Sequence, residues 1–88
     1  MRRVTLDFHN ITLRYELHIL LKYSFAFPDC YGKNLDALYD CLTDIREDTE
    51  VTVKGADELR ENLGRYGELT LRVLADAARD NEHLIIKE

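Results

Sequence analysis

Three short β-type stretches separated by paired helical stretches constrain this chain more than any other feature. Val4, Leu6 and Phe8 alternate with Thr5 and Asp7, a half-buried strand over residues 2–8. Val51 and Val53 alternate with Glu50, Thr52 and Lys54, a second strand. His83-Leu84-Ile85-Ile86-Lys87 is a third, with a continuous apolar run. Between the first two, Leu13, Leu17, Leu20, Leu21 and Phe25 follow at helical spacing, so residues 13–25 form a helix, with Asn10 or Thr12 as its cap. Pro28 helps end it, and residues 28–32 are a connecting loop. A second helix spans about 34–45, with Asn34 as N-cap, and 46–49 is a polar turn. Ala56 to Leu63 is a short, weak helix ended near Gly64. Gly67 precedes a longer helix at about 68–80, with Leu69, Val73, Leu74 and Ala77 inward.

The order is β-α-α-β-α-α-β. Helical crossovers between strands require parallel pairing, and such crossovers are right-handed. Two of them in the same direction give an α/β fold in two layers: a three-stranded parallel sheet, order 1-2-3, with the helices packed on one face. Thr5, Asp7, Glu50 and Thr52 then point to an open face. Residues 1–88 make one small domain, with no room for a second core.

The helix at 34–45 carries the chemistry. Leu35, Leu38, Leu42 and Ile45 form one apolar face, and Asp36, Asp40 and Asp44 recur at i, i+4 and i+8 on another. Like charges at that spacing cost a helix roughly 0.2–0.5 kcal/mol per pair, and Asp is a poor interior helix former. A surface chosen for stability would place Lys or Arg opposite each acid. The acidic ridge therefore has a use. The net charge of −5 argues against nucleic acid, whose phosphates demand a basic footprint, and favours a basic protein partner.

Other classes fit less well. Paired carboxylates can perform acid–base chemistry on sugars, but these share one exposed face with no wall to separate their pKa values. His9, His18 and His83 are scattered, with no His/Cys pair at ligand spacing, so no metal or other cofactor is expected. His18 reads as a surface or helix-packing residue. No Gly-rich phosphate loop or Ser/His/Asp arrangement is visible. The N-terminus has no apolar signal region and no stretch reaches membrane-span length, so a cytoplasmic protein that avoids membranes is expected. Two cysteines make no disulfide framework: Cys41 reads as a small buried hydrophobe and Cys30 as a partly exposed loop thiol.

Tyr31-Gly32-Lys33-Asn34-Leu35-Asp36-Ala37-Leu38-Tyr39-Asp40-Cys41-Leu42 closely resembles the signature of the barstar family, intracellular inhibitors of the bacterial ribonuclease barnase. The flanking layout of strands and helices extends the resemblance over nearly the whole chain. It implies a non-catalytic α/β protein, without cofactor, that plugs a basic ribonuclease with its acidic helix and the loop before it. By residue match it implies that Tyr31 is a loop tyrosine at the interface. Asp36 and Asp40 are the helix aspartates facing the ribonuclease, and Asp40 enters the phosphate-binding site. Tyr39 takes the position of a contact tryptophan, Thr43 matches a contact threonine, and Asp76 falls where the family has an interface glutamate. Asn34 and the extra acid Asp44 complete the expected contact set. A monomer is expected in the free state. Three departures bear on the partner: Cys30 replaces an aromatic anchor, Lys33 adds a positive charge where an acid often stands, and Asp44 replaces a glycine. The rival reading is a binding or regulatory module on the same fold whose target is not a ribonuclease.

Overall fold

The computed structural model describes residues 1–88. Strand β1 (Arg2–Asp7) is followed by helices α1 (Arg14–Phe25) and α2 (Leu35–Thr43). Strand β2 (Thr49–Lys54), helices α3 (Ala56–Leu63) and α4 (Arg65–Asp80), and strand β3 (Leu84–Lys87) complete the chain. The sheet is parallel throughout, in order β1-β2-β3, as the crossover argument requires. Val4 pairs with Val51 and Val51 with Ile86, while Leu6 pairs with Val53, so the apolar alternates of all three strands share one face.

That face is buried under the helices. Leu6, Phe8, Leu17, Leu21, Leu38, Leu42, Val51, Leu59 and Ala77 are fully enclosed in one cluster. The opposite face carries Arg3, Thr5 and Asp7 exposed, with Glu50 and Thr52 half-covered. Ile85, in register with Glu50, is also exposed there. The apolar run of the third strand is thus not enclosed on both sides, and β3 buries only Leu84 fully.

Several boundaries differ from those read off the sequence, each for a tertiary reason. Neither Asn10 nor Thr12 caps α1. Leu13 is its N-cap residue, and the Glu16 carboxylate accepts from the backbone N–H groups of Thr12 and Leu13, 3.1 Å each. Helix α4 begins at Arg65, directly after the single hinge residue Gly64 (φ 57°), so Gly67 lies inside its first turn rather than before it. Gly67 is there for packing: a Cβ would stand 2.5 Å from the Leu59 carbonyl oxygen of α3. Helix α2 ends at Thr43, which leaves Asp44 as its C-cap and Ile45 beyond it. The buried Asn81, just after α4, donates its amide to the carbonyls of Leu42 (2.9 Å) and Ile45 (3.0 Å). The Ile45 carbonyl thereby gains a partner, and the Leu42 carbonyl, which also accepts the Ile45 N–H at 3.3 Å, gains a second.

Candidate functional site

The face built by α2 and α4 gathers most of the expected contact residues. Asn34 starts α2 by accepting the Ala37 N–H on its side-chain oxygen at 2.7 Å, so its role is to fix the helix entry. Leu38 and Leu42 anchor the helix in the core, and this orients Asp36 and Asp40 outward, one turn (about 6 Å) apart. Asp44, the C-cap, borders a different depression, lined by Phe25–Pro28, Cys41 and Ile45. All three acids are exposed. None of their carboxylates takes part in any of the protein's ion pairs or accepts a hydrogen bond from another side chain. The ridge is neither turned inward nor neutralised by the chain's own cations.

Across from it, α4 supplies Val73, Asp76, Arg79 and Asp80, which with Leu35, Asp36, Tyr39 and Asp40 line an open groove. Four carboxylates thus face one arginine. Arg79 reaches Asp76 at 3.4 Å and Asp80 at 3.1 Å, both on its own helix. Tyr39, half-buried, spans the groove and donates its hydroxyl to Asp80 Oδ2. The bond to Asp80 holds the Tyr39 proton on and pushes its pKa up. Arg79 and Tyr39 together hold the Asp80 carboxyl below the usual range. Asp80 and Arg79 were absent from the expected set. The signal available for them was the i, i+4 repetition of acids at Asp76 and Asp80, a smaller copy of the α2 pattern. The Thr43 hydroxyl shares its one proton between the backbone carbonyls of Tyr39 (2.9 Å) and Asp40 (3.1 Å), which leaves its lone pairs free to accept.

Tyr31 requires a correction. Expected on the surface, it is 5% exposed and belongs to the core. Its ring packs 5.0 Å from that of Phe27, and its hydroxyl lies 2.6 Å from His18 Nδ1. Burial pushes its pKa upward. An apolar ring with one polar atom is cheaper inside once that atom finds a partner, and His18 supplies it. Tyr31 therefore pins the loop from inside and presents no side chain to a partner. His18 is correspondingly buried; its Nε2 lies 2.6 Å from the Tyr66 hydroxyl. Cys41 is half-covered rather than enclosed, its thiol pKa raised by desolvation and the nearby acids, while Cys30 is exposed.

The charges at the two ends of α2 oppose the helix dipole. Lys33 precedes the N-cap, at the positive end, and Asp44 sits at the negative end, with no basic residue in the last turn. Lys33 also has φ 52°, a left-handed conformation that costs a side-chain-bearing residue about 1–2 kcal/mol. Neither placement serves stability. Asp44→Lys is accordingly expected to stabilise the free protein by about 0.3–1 kcal/mol, read as a raised urea midpoint with unchanged slope.

The face can accept several charge-assisted hydrogen bonds from Arg, Lys or protonated His, with Tyr39 and Leu35 supplying apolar contact between them. No group of His, Cys, Asp and Glu has the arrangement of a metal site, and no helix is long and apolar enough to cross a membrane. The family model described as Barstar (barnase inhibitor) matches residues 1–86. A Bacillus subtilis (strain 168) protein named "Putative ribonuclease inhibitor YrdF" is 37% identical over 84 residues, covering 91% of this chain and 89% of that protein.

Proposed function

The chain belongs to the barstar family, and from that premise we propose that it inhibits a basic, extracellular-type ribonuclease by seating α2 in the enzyme's active-site cleft. The observation that carries this reading is the pair of exposed, unpaired acids Asp36 and Asp40 on the acidic groove, with Asp44 exposed at the helix end. A cleft that cuts RNA must hold phosphates, so it presents Arg, Lys and His. A carboxylate on a rigid helix can take the place of a phosphate oxygen and accept paired donors from such groups. Asp40, mid-helix and bordering the groove, takes the central position. Asp36 and the Asp76–Arg79–Asp80 cluster flank it, and Asp44 extends the contact at the helix end.

The action is occupancy, not chemistry. The helix fills the cleft and excludes RNA, and the inhibitor turns nothing over. Two features favour fast capture. The site is built on helices held by the core, so little ordering is left to do on binding. The net charge of −5 also draws a cationic partner inward. An inhibitor of a secreted enzyme works in the cytoplasm of the cell that makes both, as an immunity protein against its own toxin.

The experiment is a titration of ribonuclease activity with the purified protein, accompanied by stopped-flow association at varied ionic strength. Inhibition reaches completion at one inhibitor per enzyme. The association rate falls by about tenfold or more between roughly 0.05 and 0.5 M salt, because the Debye length shrinks over that range and screens the steering field. A salt-independent rate would contradict the electrostatic part of the proposal.

A further inference from the structure

We infer that the partner's footprint continues past the start of α2 onto Lys33 and Tyr15, and that the rim of the partner's basic cleft carries a carboxylate opposite Lys33 and an apolar patch against Tyr15. This rests on the ribonuclease reading and specifies which ribonuclease fits.

Lys33 is exposed and has no acid of its own chain within ion-pair distance, although Asp36 stands three residues away. Its ammonium lies 5.7 Å from the centre of the Tyr15 ring on α1. Tyr15 is 65% exposed, a large aromatic left in water beside Lys33. The position is strained, with φ 52°, and Gly or Asn would relieve that strain. It is electrostatically adverse as well, a cation at the positive end of a helix dipole. Asn34, which follows at once, caps α2, so the Lys33 backbone is fixed at the start of the acidic helix.

A charge kept in a strained, adverse and unpaired position, over an exposed ring and contiguous with a binding ridge, is explained by a contact outside the chain. The complementary surface reads directly from the order of charges. Cations lie opposite Asp36, Asp40 and Asp44, and one anion lies opposite Lys33. An aromatic at position 15 supplies apolar contact at little entropic cost, where the exposed loop residue Cys30 offers only a small side chain.

A matched contact at Lys33 and simple attraction have opposite consequences. Lys33→Glu removes one positive and adds one negative charge, taking −5 to −7. Attraction to a basic enzyme alone would then tighten binding. A matched carboxylate on the partner instead makes Lys33→Glu weaken it by about tenfold, mostly through faster dissociation. Tyr15→Ala weakens it by about tenfold as well. Lys33→Gly separates strain from contact: it raises the thermal midpoint of the free protein and still weakens binding several-fold.

The probe is the ribonuclease purified from the producing cell's culture medium by its RNA-cutting activity, with Kd and rates measured for wild type, these three variants and Asp40→Ala. Weaker binding by Lys33→Glu, Lys33→Gly and Tyr15→Ala, each with the fold intact by circular dichroism, supports the extended footprint. Unchanged or tighter binding by Lys33→Glu, or unchanged binding by Tyr15→Ala, overturns it while Asp40→Ala still loses affinity. If Asp40→Ala binds like wild type, or wild type does not inhibit this enzyme, the ribonuclease reading itself falls and the footprint with it.

Discussion

Asp40→Ala weakens inhibition by at least about a hundredfold and leaves the free protein as stable as before, or slightly more so. The two effects have separate causes. In the proposed docking, Asp40 is enclosed against the partner's cations, and removing one member of a desolvated charge pair costs about 2–5 kcal/mol, much of it from the charges left behind. That range is general, the barnase–barstar complex being among the systems it comes from. In the free protein Asp40 is exposed and has no ionic partner. Alanine there relieves the like-charge spacing to Asp36 and Asp44, worth roughly 0.2–0.5 kcal/mol per pair, and is the better helix former. Loss of affinity together with loss of fold would mean instead that Asp40 holds the structure. Inhibition constants and urea midpoints on the same preparation distinguish the two.

The second large effect lies away from the binding face, at His18. A neutral imidazole has one N–H and one lone pair, so between Tyr31 and Tyr66, each 2.6 Å away, it donates to one hydroxyl and accepts from the other. Three elements meet there: α1 through His18, the loop through Tyr31 and α4 through Tyr66, whose ring lies 4.1 Å beneath the Arg14 guanidinium. His18→Ala leaves the buried Tyr31 hydroxyl without its partner and opens a cavity. A loss of about 2–4 kcal/mol is expected, enough to lower the Tm by about 10 °C or more in a chain of this length.

The same site sets a pH response. Desolvation depresses the His18 pKa below its ordinary 6.5. The unfolded chain therefore takes up a proton near pH 6.5 that the folded chain refuses, and stability falls as pH drops through about 6.5 toward the folded value. His9 works in the opposite sense: its bond to Asp7 raises its pKa, so its contribution is present below about pH 6.5 and is lost as pH rises through the raised value. Urea midpoints between pH 7 and 5, measured in a His9→Gln background, isolate the His18 term. A midpoint that does not fall on acidification would contradict a buried neutral imidazole.

The parallel sheet and its order were legible because strand alternation and helix-length crossovers are local signals with a single chiral solution. The outward direction of Asp36 and Asp40 was legible for the same reason, through the opposed apolar face of Leu38 and Leu42. What the sequence hid depends on contacts between distant residues. The end of α2 is set by Asn81, some forty positions away, through its bond to the Leu42 carbonyl. Gly67 was placed just before the helix because its real constraint, the approach of the Leu59 carbonyl, is not local. Tyr31 was placed at the interface by residue match alone, and its hydroxyl's partner, a histidine thirteen residues earlier, is not a local signal. Asp80 and Arg79 belong to the site only because α4 lies against α2, a contact between residues about forty positions apart.

Backbone amide NMR of the labelled protein, alone and bound to its ribonuclease, addresses the acid-ridge mechanism most directly. The largest shifts should fall on residues 33–44 and 76–80, with the open sheet face around Thr5, Glu50 and Thr52 unchanged. Shifts confined to that sheet face, with Asp36 and Asp40 silent, would show that the enzyme is held by a different surface and that the exposed carboxylates of α2 do not enter its cleft.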